Sequence, residues 1–408
     1  MTAVSMPTPE PMRSQHWLLL AVAGLCASLI GLGIGRFAYV PLLPLMIDAG
    51  WTSNSGAAQV AAANLVGYLI GSASAHRLAL WRGPAAVVRA AMLAVVLSLL
   101  ACSVQLGIGW LWAWRMIAGA AGGMLMILAA PYLMRQVPLA ARGKAIGVVF
   151  AGIGVGIVLS GLLVPVLGAG KLRLAWLVLA ALAGIALVFA WPRFAAVNVA
   201  GATAGTPDNH TAAADQRQTL LPRGPLLALL CAYVLDAIGY LPHTVFWVEY
   251  LVHDLGKPLA IGGAFWAVFG AGAIVGPLLS GMAADRFGFR RTLVACFACK
   301  AVAVALPLLS TSMPALFASS FAVGALTPGM VAVASGRVIE IAGPAAHQRN
   351  WAMMTFIYAL VQASAGYAMA AVYGATHSFT LLFSVAASAL VLAACIAAKP
   401  PRAVQALA

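Results

Sequence analysis

Four charged residues lie inside long apolar stretches of this 408-residue chain: Arg36, Arg115, Asp236 and Lys300. A charge in apolar surroundings is costly, so it normally faces a polar partner or a water-filled cavity. Arginine is suited to anions, because its guanidinium group offers a planar fork of N–H donors that matches the two oxygens of a carboxylate. These residue types therefore predict a polar site within an apolar protein.

Arg36 and Arg115 are predicted to lie at similar depth. Arg36 is about 19 residues into the first apolar stretch, or roughly 28 Å along a helix, and Arg115 is near the start of a stretch that runs the other way. Two arginines facing one cavity predict a site for a carboxylate-sized anion. The alternative is that one or both arginines bind backbone carbonyls at helix breaks, which Gly33, Gly35 and Pro41 favour. They could also extend towards the lipid headgroups at a membrane surface.

Asp236 is the acid placed deepest within an apolar stretch, and His243 follows two helical turns later on nearly the same face. A buried carboxyl group holds its proton more readily, and a histidine titrates near neutral pH. The pair is therefore predicted to couple function to protons. The alternatives are a static Asp236 paired with an arginine and a His243 bound to a backbone carbonyl. Lys300 is expected to extend towards the headgroups.

Four further polar residues lie within apolar stretches and complete the predicted substrate-binding set with the arginines. They are Tyr39, Asn64, Tyr240 and Gln362. Each could instead form a hydrogen bond that holds two helices together.

Twelve apolar stretches position these residues, and each has about the 20 residues that a bilayer-spanning helix needs. They cover residues 17–46, 56–75, 84–106, 110–134, 145–168, 174–192, 224–248, 260–283, 292–309, 314–336, 350–373 and 378–398. Hydrophobic residues make up 63% of the chain and charged residues 8%, against about a quarter in soluble domains. The predicted fold class is an all-α membrane protein with twelve transmembrane helices.

The net charge of +14 is explained by membrane topology rather than by a nucleic-acid partner. If the N-terminus is cytoplasmic, 17 basic residues fall on the inside and 3 on the outside, with the other 3 of the 23 within spans. Such a bias marks the cytoplasmic side. We therefore expect a multi-pass inner-membrane protein with both termini in the cytoplasm, in contact with the lipid bilayer.

A polar stretch divides the spans six and six. The predicted domains are a bundle over residues 1–192, a flexible cytoplasmic linker over 193–223 and a second bundle over 224–408. Short motifs recur in the two halves at an offset of 205–209, for example Gly67 with Gly276 and Gly119 with Gly324. The repeat predicts two pseudo-symmetric six-helix bundles. Small residues in the fifth and eighth spans predict close packing between the halves.

Three motifs give the chain a family resemblance. The loop after the eighth span reads Gly281-x-x-x-Asp285-Arg286-x-Gly288-x-Arg290-Arg291, which is similar to a loop signature of the major facilitator superfamily. Arg115-x-x-x-Gly119 resembles the arginine motif of that family's fourth helix. The stretch from Gly33 to Met46 resembles the YbfB/YjiJ-type branch. In the first half, His76 stands where the family usually has an acid.

The resemblance implies alternating-access transport of a small solute, with charge pairs that close the cytoplasmic end. The residues that would form this gate are Asp285, Arg286, Arg291, Arg135 and Glu340. We expect proton coupling and a small organic anion as substrate, with efflux of amphipathic or cationic compounds as the alternative and a non-transporting receptor as a further one. We expect a monomer that is not an enzyme and has no cofactor, metal site or nucleic-acid partner, since the sequence has no phosphate-binding loop and no cluster of metal ligands.

Overall fold

The computed structural model describes residues 14–138, 141–194 and 224–399. Within these ranges the backbone is helical apart from short connections, and no strand occurs. The all-helical prediction is therefore confirmed. Most of the predicted linker 193–223 lies outside the described residues, but Arg193 and Phe194 belong to the last turn of the preceding helix.

Twelve long helices follow one another along the described chain. They are α1 Trp17–Asp48, α2 Asn54–Arg82, α3 Pro84–Cys102, α4 Ile108–Met134, α5 Arg142–Leu167, α6 Leu172–Phe194, α7 Pro225–Asp254, α8 Leu259–Phe287, α9 Phe289–Leu309, α10 Met313–Gly343, α11 Arg349–Thr376 and α12 Phe379–Ala398. We call the end of the bundle at which α6 stops and α7 begins the linker end. The loops after α1 and α7 lie at the opposite end.

Eleven of these helices are long and apolar enough to cross a membrane, and α2 is the exception. It is as long as α8 but carries more polar residues, including Gln59, Asn64 and His76. Asn64 is 2% exposed, and its amide donates hydrogen bonds to backbone carbonyls of α1 and α4. Burial against neighbouring helices therefore accommodates a polar residue that a hydropathy average counts against the span.

Three helices, α2, α7 and α10, extend six or seven residues beyond their predicted ends, and α10 continues from the predicted end at residue 336 to Gly343. Helix α2 begins two residues earlier and continues to Arg82, and α7 continues from the predicted end at residue 248 to Asp254. The apolar run of α7 stops at Glu249, which is nevertheless fully buried. The helix continues because its polar end packs inside the protein rather than in lipid.

Helices α1 and α7 contain wide π-helical turns, one in the interior of each helix and a further one at the end of α7. These turns cover Leu29–Phe37 in α1 and Pro242–Phe246 and Tyr250–Asp254 in α7. Proline lacks an amide hydrogen, so Pro41 and Pro242 each leave a carbonyl one turn back without its usual donor. Wide turns of this kind often occur at functional sites, and both helices carry predicted site residues.

Close contacts between helices recur at a constant offset of 205 residues. Helices α2 and α4 approach so closely that a Cβ atom on Gly67, Gly71 or Gly119 would collide with the backbone of the other helix. The same is true of α8 and α10 at Gly272, Gly276 and Gly324. Helices α2 and α8 also end at glycines with φ 82°, Gly83 and Gly288, which have the same offset. The predicted correspondence of Gly67 with Gly276 is therefore wrong by one helical turn, because Gly67 occupies the place of Gly272.

The fifth and eighth helices pack together across the two halves of the chain, as predicted. A Cβ atom on Gly161 would lie 2.6 Å from the Gly263 carbonyl oxygen, and one on Gly154 would lie 2.7 Å from that of Gly270. The approach of these backbones therefore requires glycine. The other small residues of α8 in the prediction, Gly272 and Gly276, face α10 instead.

We expect Gly161→Ala to destabilise the protein by about 1–3 kcal/mol, the usual cost of adding a methyl group to a filled interface. The matched control is Gly147→Ala in the same helix, where a Cβ atom meets no other atom within 4 Å. There the alanine should be neutral or slightly stabilising, because alanine favours helix. Thermal unfolding of the detergent-solubilised proteins measures both, and equal midpoints for the two variants would contradict this account of the α5–α8 contact.

Candidate functional site

Arg115 of α4 is 1% exposed and binds the backbone of α1. Its Nη1 atom donates a hydrogen bond of 2.6 Å to the Gly35 carbonyl, and its Nη2 atom donates one of 3.2 Å to the Arg36 carbonyl. The guanidinium group also lies 4.9 Å from the centre of the Tyr39 ring. In this conformation Arg115 therefore binds backbone carbonyls, the alternative that the sequence left open.

The wide turn of α1 explains why the Arg36 carbonyl is available. In a π-helical turn each carbonyl accepts from the amide five residues on, and for Arg36 that position is Pro41, which has no amide hydrogen. A buried carbonyl without a donor costs free energy. Arg115 supplies a donor to this carbonyl and a second one to the Gly35 carbonyl, so it connects α4 to the break in α1.

Asn64 and Tyr39 belong to the same polar cluster. The Asn64 side-chain amide donates to the Arg115 carbonyl at 3.0 Å, which ties α2 to α4. The Tyr39 hydroxyl donates to the Ala57 carbonyl at 3.0 Å, which ties α1 to α2. The interhelical role considered for these residues is therefore present. Their place as substrate-binding residues stays a prediction.

Arg36 is half-buried and differs from Arg115 in its surroundings. Its guanidinium carbon lies 5.0 Å from the Phe37 ring centre and 5.5 Å from that of Tyr68. Neither Arg36 nor Arg115 forms an ion pair with an acid in the described part of the chain. The side chain of Arg36 thus carries a positive charge that no carboxylate among these residues neutralises.

The two arginines line one cavity between the halves of the chain. Its volume is about 20 Å³, room for about one water molecule. Helices α1, α2 and α4 supply most of the wall, and Thr244 and Val245 of α7 close the other side. Arg36 and Arg115 thus share a cavity in this conformation, and it is too small here for an organic solute. Their role as substrate-binding residues stays a prediction.

Asp236 and Lys300 form a buried ion pair between α7 and α9. The Lys300 Nζ atom lies 2.8 Å from Asp236 Oδ1, and the two side chains are 0% and 1% exposed. The Tyr358 hydroxyl of α11 donates to Asp236 Oδ2 at 3.3 Å. The prediction that Lys300 extends to the headgroups is wrong, because a carboxylate inside the bundle offers the ammonium group a stronger partner than it would find by snorkelling.

Tyr240 connects this ion pair with the arginine cavity. Its ring centre lies 4.7 Å from Lys300 Nζ, its hydroxyl accepts a hydrogen bond from the Gln362 amide, and Arg36 is its charged neighbour on the other side. Tyr240, a predicted site residue, is therefore a neighbour of both charged groups, and Gln362, another predicted site residue, is hydrogen-bonded to it.

His243 lies apart from Asp236. Its Nε2 atom is hydrogen-bonded to Ser319 Oγ at 2.8 Å, and its ring stacks on Trp247 with 4.3 Å between the centres. No hydrogen bond joins it to Asp236 among the described residues. A separation of seven residues would place both side chains near one face of a regular helix. His243, however, lies in the wide turn that begins at Pro242, where the spacing is no longer that of a regular helix. A role for His243 in proton coupling stays a prediction.

Side-chain hydrogen bonds between the two halves of the described chain occur near the end opposite the linker. There Trp112 Nε1 donates to the Tyr367 hydroxyl at 2.9 Å, and His253 Nε2 lies 2.8 Å from Asp48 Oδ1. At the linker end Glu340 is paired with Arg337 of its own helix at 2.6 Å.

The other gate residues lie at the linker end and are exposed: Asp285, Arg286, Arg291 and Arg135. In the described ranges none of them forms an ion pair, so the cross-gap pair of Arg135 and Glu340 is not formed in this conformation. The gating role stays a prediction for a conformation in which the linker end is closed.

Sequence reasoning missed two groups of residues. Lys300 and Tyr358 were not recognised as partners of Asp236. A signal for Lys300 was available, since it is a charge within the ninth predicted span and Asp236 is the acid placed deepest within a span. Glu249 and His253 lie beyond the predicted end of the seventh span. Their spacing of four residues was the available signal, since it places two polar side chains on one helix face.

The fold is shared with several transporters of known structure. A D-xylose–proton symporter aligns with a TM-score of 0.74 at 17% identity, over 94% of this chain and 96% of that one. The nucleoside transporter NupG aligns with a TM-score of 0.73 at 13% identity, over 93% and 98% of the two chains. An inward-open structure of the xylose transporter XylE from E. coli aligns with a TM-score of 0.72 at 14% identity, over 96% and 97%.

No curated protein sequence matches the chain. Residues 28–398, which include every helix from the middle of α1 to the end of α12, match the family described as "Uncharacterised MFS-type transporter YbfB". That match covers the arginine cavity, the buried ion pair and the contacts at both ends. The chain is therefore a multi-pass membrane protein of the YbfB-type family of major facilitator superfamily transporters, a family of transporters and not of enzymes.

Proposed function

We propose that this protein is a proton-coupled secondary transporter of a small organic anion. The observation that carries the proposal is the pair of arginines beside the cavity between the halves. Neither is neutralised by an acid among the described residues, and Arg36 faces the Phe37 and Tyr68 rings and the Tyr240 side chain, none of which is an acid. A carboxylate entering beside Arg36 would provide the missing counter-charge.

The proposed cycle moves two six-helix bundles, residues 1–192 and 224–408, about the central cavity. The constant offset of 205 between the glycine contacts of the two halves supports this pseudo-symmetric arrangement. In the present conformation the end opposite the linker is held by contacts between the halves. A second conformation would open that end and close the linker end through the charged residues there.

Asp236 is the proposed proton-coupling group. As a carboxylate it holds Lys300, and when it binds a proton the ion pair weakens and the ammonium group turns to other acceptors. Because Tyr240 is a neighbour of both Lys300 and Arg36, this change alters the charge that the substrate meets. Efflux of a cation, the alternative, is disfavoured because the carboxylate that would bind it is already neutralised by Lys300.

The proposed setting is the inner membrane, with the protein acting as a monomer and both termini in the cytoplasm. The excess of basic residues in the loops at the linker end supports this orientation. The linker end then faces the cytoplasm, and the Asp48–His253 contact faces the outside.

Uptake by proteoliposomes tests the function directly. Labelled mono- and dicarboxylates and labelled organic cations are offered with and without a gradient of one pH unit. That gradient holds about 1.4 kcal/mol, which supports up to about ten-fold accumulation at one proton per solute. We expect a carboxylate to accumulate and a protonophore to abolish the accumulation. Accumulation of cations without movement of any carboxylate would overturn the proposal.

A further inference from the structure

Glu249 is an acid buried near the outer end of α7 that the proposed cycle does not use. The residue is 0% exposed. Its Oε1 atom lies 2.9 Å from His253 Nδ1, an ion-pair contact without the geometry of a hydrogen bond, and its Oε2 atom has no hydrogen-bond partner among the described residues. A carboxylate buried in this way is stable only if a positive charge or a bound proton neutralises it.

His253 joins this buried acid to the other half of the chain. Its second ring nitrogen, Nε2, lies 2.8 Å from Oδ1 of Asp48 at the end of α1. The side chains of His253 and Asp48 are 32% and 45% exposed, whereas that of Glu249 is inaccessible. The imidazole therefore links a buried carboxylate to an exposed one, and the link crosses the boundary at which the halves must separate.

Among the described residues, few other titratable side chains lie near the Glu249 carboxylate. Helix α1 contributes Tyr39 and Asp48, α11 contributes Tyr373, and α7 itself contributes His253 and the nearby Asp254. His253 is the one base among them. An imidazolium at this position is attracted by both carboxylates, and removing its proton leaves Glu249 without a counter-charge.

We propose that Glu249, His253 and Asp48 form a second proton-binding site, separate from Asp236, whose occupancy holds the end opposite the linker closed. Opening separates Asp48 from His253 and exposes Glu249 to water. Water then stabilises the Glu249 carboxylate, so the open conformation binds the proton of this site less tightly than the closed one. Closure is therefore linked to proton uptake. The proposal rests on the proposed function only in that protons drive the cycle, and its test needs no substrate.

The test measures the opening of this end against pH. Spin labels at Gln105→Cys and Ser312→Cys, exposed positions in loops of opposite halves at this end, are placed in a variant from which the six native cysteines have been removed. Electron paramagnetic resonance then gives the distance distribution in lipid nanodiscs. We expect the long-distance population to rise between about pH 5 and 8, the range in which an imidazole loses its charge.

Glu249→Gln and His253→Gln should each remove most of this pH dependence. The first variant lacks the buried carboxylate, and the second lacks the imidazole that carries the proton. Asp254→Asn, which changes an adjacent acid on the same helix, is the matched control and should keep it. The double variant Asp236→Asn with Lys300→Met, which removes both charges of the buried pair, should also keep it. Loss of the pH response in this double variant but not in Glu249→Gln would overturn this inference and leave the proposed coupling at Asp236 intact.

Two further measurements complete the test. If Glu249→Gln does not fold, Asp48→Asn, a change at an exposed residue, must by itself diminish the pH response. The titration is also repeated with choline in place of sodium. An opening that follows sodium at constant pH would mean that the acids bind a metal cation rather than a proton, and would refute the proposal.

Discussion

Arg115→Ala is expected to lower the free energy of unfolding by about 3 kcal/mol or more and to abolish transport. The side chain makes two charge-assisted hydrogen bonds to the carbonyls of Gly35 and Arg36. Its removal leaves the Arg36 carbonyl without this donor and leaves the Gly35 carbonyl with only the 3.5 Å hydrogen bond from the Asn64 amide. Hydrogen bonds to charged groups contribute about 1.5–3 kcal/mol each, and an unsatisfied buried group adds a further penalty. The break in α1 would lose the group that holds it.

Arg36→Ala is expected to weaken substrate binding rather than stability. Its side chain is half-buried and makes cation–π contacts with Phe37 and Tyr68, worth about 1 kcal/mol at exposed sites, and it also contacts the Tyr240 side chain. Stability should change little, whereas carboxylate binding should fall by at least about ten-fold through loss of a charged hydrogen-bonded contact. Thermal unfolding and radioligand binding in detergent separate the two variants.

Arg115→Lys provides the conservative control. A single ammonium nitrogen lacks the fork that spans two carbonyls, so this variant should recover only part of the stability. If Arg115→Ala unfolds at the same temperature as the unmodified protein, the carbonyl-binding role fails. The sequence-based prediction that both arginines face a shared anion site would then be favoured over its alternative, the binding of backbone carbonyls.

Breaking the Asp236–Lys300 pair from either side is expected to cost about 3–5 kcal/mol, because one charge is left buried and unpaired. This applies to Asp236→Asn and to Lys300→Met separately. The double variant removes both charges, so its stability should lie close to that of the unmodified protein. Such strong non-additivity is the signature of a direct buried pair.

Function should not recover with stability. The double variant has no carboxyl group to take up the proton, so it should exchange labelled carboxylate across the membrane without accumulating it in a pH gradient. Lys144→Met, at an exposed lysine near the linker end, is the control and should leave both properties unchanged. Additive destabilisation in the double variant, or pH-driven accumulation by it, would show that the pair is not the coupling element.

Much of the architecture could be predicted from the sequence because a membrane imposes simple rules. A bilayer demands apolar segments of a set length, so the helices and the central polar stretch could be located without any tertiary information. The cost of burying charge marked Arg36, Arg115 and Asp236 as special, and the structure places all three inside the bundle. The motif around Asp285 was enough to suggest the family to which the chain belongs.

The sequence could not determine which groups these charges meet. Lys300 and Asp236 are 64 residues apart, and only the packing of α7 against α9 makes them partners. Likewise, the Arg36 carbonyl that Arg115 binds lies in a wide turn of α1, where Gly33 packs against Gly152 and Gly156 of α5. Hydropathy also ended α7 at residue 248, since it treats Glu249 as a residue facing lipid or water.

The sequence by itself therefore determined which segments enter the membrane and which residues carry an unusual electrostatic cost there. The tertiary structure alone decided how that cost is met: by backbone carbonyls for Arg115, by Lys300 for Asp236 and by His253 for Glu249. The physical reason is that transfer into the bilayer depends on the residue types of one segment, whereas neutralising a buried charge requires a partner within about 3 Å, usually on another helix.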